Sequence, residues 1–227
     1  MKLNQINERI WYSDYEDERD RPALGYVLGD RFSLAIDAGH SAAHLSDFYM
    51  ALKKNNLPLP ELTVITHWHW DHAFAMHAVN GLTIANKKTD EYLREFIKNR
   101  TPEFDERFLN MDPYIRNEYT EDTPLIVVPA DIVFENKYDI HLGNVTVTLS
   151  ECISAHTDDS TLVYIPEYKV MFLGDALSGK YPTYVPDKGL LKQFIKVIEN
   201  SEAETFIGAH WPVFTRESLL ERLYGQL

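Results

Sequence analysis

Four potential metal ligands lie within six consecutive positions of this sequence, in the run THWHWDH at residues 66–72. Zinc binds imidazole nitrogen and carboxylate oxygen readily. His67 and His69 point to the same side of an extended loop because side chains alternate, so they can share one ion. Asp71 and His72 follow where the chain turns toward a helix, and they can face a second ion. The chain has only nine histidines, so this density predicts a metal site.

Three further side chains of ligand type come later in the chain, each just after a predicted strand. His156 follows a strand predicted at residues 145–153. Asp175 follows one at 170–173, and His210 follows one at 205–207. A single strand-end histidine is more often a turn residue, but these strand ends can converge at one edge of the sheets. Together with the cluster, they complete the ligand set that a metal site needs.

The elements that must position these residues are short strands and amphipathic helices. Residues 6–12 have an extended pattern, and residues 23–28 and 31–36 form a predicted hairpin around Gly29-Asp30. Ser41 is a predicted N-cap for a helix from residue 42 to about 54. A short β-branched run at 62–66 leads directly into the histidine cluster, which places the cluster on a strand-to-helix loop.

The second half alternates again between strands and helices. Residues 88–119 predict two helices broken near Thr101-Pro102, and the aromatic content of this insert suggests a cap over the site. Strand-like runs follow at residues 125–128, 132–134, 138–142, 145–153, 161–165 and 170–173. Gly143-Asn144 is a hairpin turn signal. A helix at 189–199, a strand at 205–207 and a helix at 216–223 complete the chain. Two β-rich halves that each carry helices predict one layered domain over residues 1–227.

Composition limits the function classes. The chain of 227 residues has 44% hydrophobic and 25% charged residues, as expected of a globular protein. Its net charge of −13 and its lack of a basic run argue against nucleic acid as a partner. The single cysteine, Cys152, excludes an intramolecular disulfide. No apolar run resembles a signal peptide or a membrane span, so we expect a cytoplasmic protein without a membrane partner.

The run His67-x-His69-x-Asp71-His72 resembles the signature motif of the metallo-β-lactamase superfamily. The later His156, Asp175 and His210 follow in the order of that family's ligands, and the resemblance spans about residues 24–212. It implies an α/β fold, a four-layer αββα sandwich of two mixed β-sheets flanked by helices. The metal site would lie along one edge of the sandwich.

The resemblance also implies how the ligands divide. His67, His69 and His156 would bind one ion, and Asp71, His72 and His210 would bind the other. Asp175 would bridge the two ions together with a water or hydroxide, and Asp71 would be the catalytic carboxylate that orients this group. Asp37 would support the metal loop through hydrogen bonds.

Two features depart from parts of the family. Residues 155–160 read AHTDDS where the family often has GHTPGS, which changes the turn and brings Asp158 and Asp159 near the site. Asp175 stands where true β-lactamases often have a cysteine, so the chain is more similar to the lactonase and glyoxalase II-like thioesterase branches.

Other side chains have weaker predictions. Tyr181 and Tyr184 follow Asp175 and could reach the site as hydroxyl donors to a substrate. His40 and His44 have the i, i+4 spacing of a metal pair, but a solvated helix face is the simpler interpretation because no third ligand is near in sequence.

We therefore expect a hydrolase that uses a metal-bridging hydroxide on a small ester, lactone or thioester. Two divalent ions are expected, with zinc favoured over manganese or iron. A phosphodiesterase on the same dinuclear site, a mononuclear iron persulfide dioxygenase and a non-catalytic metal-binding scaffold are the alternatives. The expected partner is a small-molecule substrate, and the sequence leaves a homodimer open.

Overall fold

Two mixed β-sheets face each other, and the metal-ligand loops leave them at one edge. The computed structural model describes residues 1–120 and 122–227. The first sheet contains, in spatial order, β1 (Leu3–Gln5), β2 (Ile10–Ser13), β3 (Gly25–Leu28), β4 (Ser33–Ile36), β5 (Leu62–Val64), β6 (Leu82–Asn86) and β7 (Ile132–Phe134). Strands β1 to β4 pair antiparallel, and β4 to β7 pair parallel.

The second sheet has the order β13-β12-β11-β10-β9-β8. Its strands are β8 (Lys137–His141), β9 (Thr146–Cys152), β10 (Ser160–Ile165), β11 (Val170–Gly174), β12 (Thr205–Gly208) and β13 (Phe214–Thr215). The β11–β12 pair is parallel and the other neighbours are antiparallel. This arrangement brings the ends of β11 and β12 side by side, where Asp175 and His210 follow.

Helices cover the outer faces of both sheets. They are α1 (Ala42–Lys54), α2 (Trp70–Ala73), α3 (Lys87–Lys98), α4 (Pro102–Leu109), α5 (Pro113–Glu118), α6 (Lys188–Asn200) and α7 (Arg216–Tyr224). One apolar cluster lies between the sheets, and a second joins the first sheet to α1 and to α3–α5. A third joins the second sheet to α6 and α7. The predicted αββα sandwich is therefore confirmed.

The strand β4 shows how the sequence produces these layers. Leu34 and Ile36 pack between the sheets, whereas Ala35 between them packs toward the helices. Side chains of a strand alternate between its two faces, so a strand covered on both sides is apolar throughout. The predicted hairpin of β3 and β4 and the helix after Ser41 are confirmed. The Ser41 hydroxyl accepts a hydrogen bond from the His44 amide at 3.2 Å.

Several local predictions are wrong, each for a physical reason. Residues 6–12 are not one strand, because the Asn7 side chain accepts hydrogen bonds from the amides of Arg9 and Ile10 and turns the chain between β1 and β2. Residues 125–128 form no strand, since Pro124 and Pro129 flank them and proline lacks the amide that a ladder needs.

The segment at residues 88–119 contains three helices, α3 to α5, rather than two. Each has its own side-chain N-cap, from Asn86, Thr101 and Asp112. The strand β6, which the sequence interpretation missed, runs directly into α3 without a turn, and Asn86 both ends the strand and caps the helix. The short edge strand β13 was missed as well.

His40 and His44 are not on a solvated face, and both are fully buried. His44 Nδ1 accepts the His40 amide at 3.2 Å, and the Tyr119 hydroxyl donates to the His40 carbonyl. The residues just before them pack against the loop of residues 67–72, because the amides of Ala38 and Gly39 donate to the His72 carbonyl at 2.9 and 3.1 Å. In the described part of the chain, no helix is long and apolar enough to cross a membrane.

Candidate metal centre

Three histidine nitrogens converge at the edge where the two sheets meet. His69 Nδ1 lies 3.1 Å from His67 Nε2 and 2.9 Å from His156 Nε2. His67 and His69 come from the loop after β5, whereas His156 comes from the loop between β9 and β10. The group therefore joins the first sheet to the second.

A second group of four side chains lies beside the first. His72 Nε2 is 3.2 Å from Asp71 Oδ2, and His210 Nε2 is 3.0 Å from the same oxygen. Asp175 lies between the two groups, because its carboxylate is 3.5 Å from His72 Nε2, 3.7 Å from His156 Nε2 and 3.8 Å from His210 Nε2. The structure thus brings together all seven residues that the sequence singled out.

The spacing of these atoms fits divalent metal ions. Four ligands at zinc distances of ~2.1 Å in a tetrahedron are separated by ~3.4 Å, which is close to the separations seen here. His72 Nε2 and Asp175 Oδ1 are buried and have no hydrogen-bond partner among the described residues. A buried polar atom without a partner is costly, and coordination to an ion would satisfy both. The donor set of imidazole and carboxylate therefore fits divalent ions of this kind.

Protonation follows from the same packing. Burial, with the charge that a protonated His156 would carry, lowers the pKa of His69 to about 4, so its ring is neutral and can bind a cation. Burial alone would lower the pKa of His210, but the carboxylates of Asp175 and Asp71 raise it to about 9. The two groups thus differ in charge as well as in composition.

Asp37 holds the ligand loop in place from beneath. Its carboxylate accepts hydrogen bonds from the Thr66 amide at 2.7 Å and the Thr66 hydroxyl at 2.9 Å. It also lies 2.7 Å from His72 Nδ1, which leaves His72 Nε2 directed at the centre. Carboxylates that bind the remote nitrogen of a ligating histidine fix its tautomer and orientation. Gly174 permits this packing, because a Cβ there would lie 2.7 Å from the Thr66 hydroxyl.

Asp159, in the segment that departs from the family pattern, ties three loops together. Its carboxylate accepts the Trp68 amide at 2.9 Å, the Thr89 hydroxyl at 2.7 Å and the Thr157 hydroxyl at 2.5 Å. The side chain is 98% buried and does not face the metal centre, since those three donors surround it. Asp158, its neighbour, points outward to Lys88 and Tyr92.

A cavity of about 820 Å³ opens in front of the ligands. Tyr181 and Tyr184 line it, as the sequence suggested, with ring centroids 5.8 Å apart in an edge-to-face arrangement. Burial and the charge of Asp20 raise the pKa of Tyr184, so its phenol remains a hydrogen-bond donor. The same segment holds His156, because the Gly179 carbonyl is 2.9 Å from His156 Nδ1.

Asp20 also lines the cavity and was not found from the sequence. Burial and the negative charge of Asp71 raise the pKa of the Asp20 carboxyl to about 7 in the ion-free protein. Its only sequence signal is one aspartate in the acidic stretch YEDERD at residues 15–20. That stretch reads as ordinary solvated surface, and tertiary packing alone brings it to the centre.

The three-helix segment lies behind the motif loop. Phe108 of α4 packs edge-to-face on Trp70 with ring centroids 6.1 Å apart, and Tyr92 of α3 packs on Trp68 at 5.8 Å. Within the described residues, none of the side chains of α3 to α5 lines the cavity. These helices therefore pack against the motif loop, and a capping role stays a prediction.

Comparisons with known proteins agree on the fold. The family model of the metallo-beta-lactamase superfamily matches residues 20–210. A metallo-beta-lactamase structure from Pontibacter korlensis is similar with a TM-score of 0.70 and 19% identity, covering 98% of each chain. A metallo-beta-lactamase motif mutant from Cronobacter sakazakii is similar with a TM-score of 0.71 and 16% identity, and the match covers 100% of this chain and 94% of that one.

A third similar structure is a sec-alkylsulfatase from Pseudomonas sp., with a TM-score of 0.72 and 14% identity. The match covers 99% of this chain but 40% of the sulfatase. No curated protein sequence matches the chain. Identities at this level establish the shared fold and leave the lactonase-like branch a prediction.

Proposed function

This chain belongs to the metallo-beta-lactamase superfamily, and we propose that it is a dinuclear, zinc-dependent hydrolase of small esters, lactones or thioesters. The observation that carries the proposal is the pair of adjacent ligand groups, three histidines and an Asp-His-Asp-His set, at the floor of one cavity. Divalent ions held by these residues would lower the pKa of a bound water toward ~7 and would polarise the oxygen of a scissile carbonyl.

The side chains around the centre have roles that follow from their positions. Asp71 and Asp175 would supply two negative charges against the four positive charges of two divalent ions, so the loaded centre would keep a net positive charge that attracts a substrate carbonyl oxygen. Asp71, with one oxygen 3.0 Å from His210 Nε2, also faces the cavity and is the proposed proton acceptor and donor. No serine or cysteine nucleophile is needed, and burial raises the pKa of the Cys152 thiol to about 11.

Tyr181 and Tyr184 are the proposed substrate contacts. Both rings border the cavity, and the exposed Tyr184 has a backbone φ of 53°, a left-handed conformation that is uncommon for a bulky residue. Such conformations cost free energy and persist where the surrounding structure imposes them. A phenol held in this way can donate a hydrogen bond to a substrate or leaving group.

Elemental analysis combined with turnover tests the proposal. Protein purified without chelators should contain two zinc ions per chain. It should hydrolyse at least one member of a panel of lactones, thioesters and carboxyl esters. The panel should include phosphodiesters, β-lactams and sulfate esters, since two of the similar structures are named as metallo-beta-lactamases and one as a sec-alkylsulfatase.

The variant His69→Ala removes one nitrogen from the three-histidine group only. It should reduce the metal content from two ions to one and abolish turnover, while circular dichroism shows a folded chain. One iron per chain with consumption of oxygen and a persulfide would instead indicate a dioxygenase. A fully loaded protein that turns over nothing in the panel would indicate a metal-binding scaffold.

A further inference from the structure

We propose that Asp20 forms a subsite for a protonated amine at the wall of the cavity, so that the substrate carries an ammonium group near its scissile bond. This inference rests on the proposed function and narrows its substrate class to basic esters, lactones or thioesters. The subsite consists of the Asp20 carboxylate and the rings of Trp70, Tyr181 and Tyr184.

The chain holds Asp20 in position through a closed and anchored loop. Backbone hydrogen bonds between Glu16 and Arg21, at 2.9 and 3.2 Å, close the loop, and Asp20 has a φ of 52° at its end. The adjacent Arg21 is 97% buried and makes a bidentate ion pair with Glu118 of α5, at 2.7 and 2.9 Å. Because Arg21 is fixed, the carboxylate of Asp20 faces the cavity without a reordering cost.

The Asp20 carboxylate lacks a cationic partner within the described residues. It accepts a single side-chain hydrogen bond there, from Trp70 Nε1 at 3.2 Å, and it forms no ion pair with lysine or arginine. A half-buried carboxylate with one donor has unused acceptor capacity. The positive charge of ions bound at Asp71 and Asp175 would keep Asp20 ionised. The same positive charge would repel an ammonium group from the cavity, except at a position next to a negative charge such as Asp20.

Three aromatic side chains line the cavity together with this carboxylate, and one of them, Trp70, donates to it. Tyr181 packs edge-to-face on Trp70 with centroids 5.4 Å apart, and Tyr184 packs on Tyr181 at 5.8 Å. The negative face of an aromatic ring attracts an alkylammonium group and leaves a carboxylate or sulfate without stabilisation. Asp20 would therefore attract the ammonium nitrogen of the substrate, and the three rings would stabilise the carbon atoms attached to that nitrogen.

The remaining charges agree with a cationic substituent. Among described residues outside the ligand set, the cavity is bordered by the carboxylates of Asp20 and Glu221 and by the guanidinium of Arg222. Arg222 lies over the rings of Trp211 and Phe214, on the α7 side of the cavity. The net charge of −13 further favours the approach of cations over anions.

A binding experiment on the zinc-loaded protein tests the subsite without depending on turnover. The probes are 2-phenylethylammonium and its neutral analogue 2-phenylethanol, titrated while the Trp70 indole N–H is followed by NMR. The ammonium probe should bind at least about tenfold more tightly, the lower end of what a hydrogen bond to a charged group contributes. The Trp70 signal should shift with it, because this N–H donates to Asp20.

Two variants separate the subsite from bulk charge. Asp20→Asn should remove the preference for the ammonium probe. Asp17→Asn removes one charge from an exposed position of the same loop and should keep that preference. Equal affinities of the two probes for the unmodified protein would overturn the proposal. So would an unchanged preference in Asp20→Asn, or an equal loss in both variants.

The hydrolase proposal is tested separately by turnover. A protein that binds the ammonium probe but hydrolyses no ester, lactone or thioester would contradict the proposed reaction and retain the subsite. A protein that hydrolyses phenyl acetate and phenyl glycinate with the same kcat/KM, and binds both probes equally, would retain the reaction and lose the subsite.

Discussion

Residues outside the ligand set hold the loops that carry the three histidines. Trp68 lies between His67 and His69, so a hydrogen bond to its amide restrains the backbone on which both imidazoles sit. Asp159 accepts that amide and two hydroxyls, and it lies three residues after His156. One buried carboxylate therefore couples the two loops that supply the three-histidine group.

We predict that Asp159→Ala weakens metal binding by about 10- to 100-fold, the usual effect of losing a residue that orients ligands. The substitution leaves the Trp68 amide buried without an acceptor and frees the loop to move. Competition with a chromophoric chelator measures the affinity.

Asp158→Ala is the matched control, since Asp158 bonds only to Lys88 and Tyr92 at the surface among the described residues. Its metal affinity should equal that of the unmodified protein. Similar losses in both variants would show that total charge, rather than the hydrogen bonds of Asp159, determines the affinity.

At the level of elements, the segment from Gly179 to Pro186 both orients the ligand His156 and forms part of the cavity wall. It begins with the carbonyl that meets His156 Nδ1 and continues through Tyr181 and Tyr184. The backbone of residues 184–186 packs directly on Gly179, where an added Cβ would overlap the carbonyl carbons of Tyr184 and Val185. Only a glycine fits at this closure.

Gly179→Ala should therefore open the segment, displace Tyr184 and disturb His156. We expect kcat/KM to fall by about 10- to 100-fold, the effect of a displacement of roughly 1 Å at a reacting centre. Steady-state kinetics on whichever substrate the panel identifies, with the metal content checked, provide the measurement.

Gly189→Ala is the control for this change. Gly189 lies in the first turn of α6 and does not line the cavity, so activity should stay the same. A Cβ there would lie 3.1 Å from Oδ1 of the N-cap Asp187, and the gain of about 0.5–1 kcal/mol from replacing glycine in a helix should offset the small shift that this contact requires. An active Gly179→Ala would refute the role of this segment.

At the level of the whole molecule, the metal centre connects the two halves of the sandwich. His67, His69, Asp71 and His72 come from the first sheet, and His156, Asp175 and His210 come from the second. Ions bound here would join the sheets at this edge, in addition to the apolar cluster between the sheets. Without ions, the carboxylates of Asp71 and Asp175 lie close together at the bottom of the cavity.

Metal removal should accordingly lower the stability of the entire domain. A ligand at 100 times its Kd stabilises the folded state by about 2.7 kcal/mol, which raises Tm by roughly 5–10 °C in a chain of this size. Calorimetry of the protein before and after chelation measures the shift. An unchanged Tm after complete removal would show that the two halves hold the ligands in place without ions.

The sequence by itself determined the sandwich, the ligand set and most of the elements that carry it. Ligand types at fixed spacing and alternating apolar strands are local patterns, and local patterns can be read from one chain. Elements were missed where the local signal was weak, as at β6, which enters α3 without a turn residue.

Only the tertiary structure decided which other residues join the centre. Asp20 lies fifty-one residues before Asp71, Asp159 is ninety-one residues after Trp68, whose amide it accepts, and the buried His40 contacts Tyr119 through its carbonyl. These contacts join segments that are far apart in the chain, so no pattern of residue spacing in the sequence reveals them. The chemistry of the centre could thus be predicted locally, whereas its substrate-facing wall and its supports depend on how the whole chain folds.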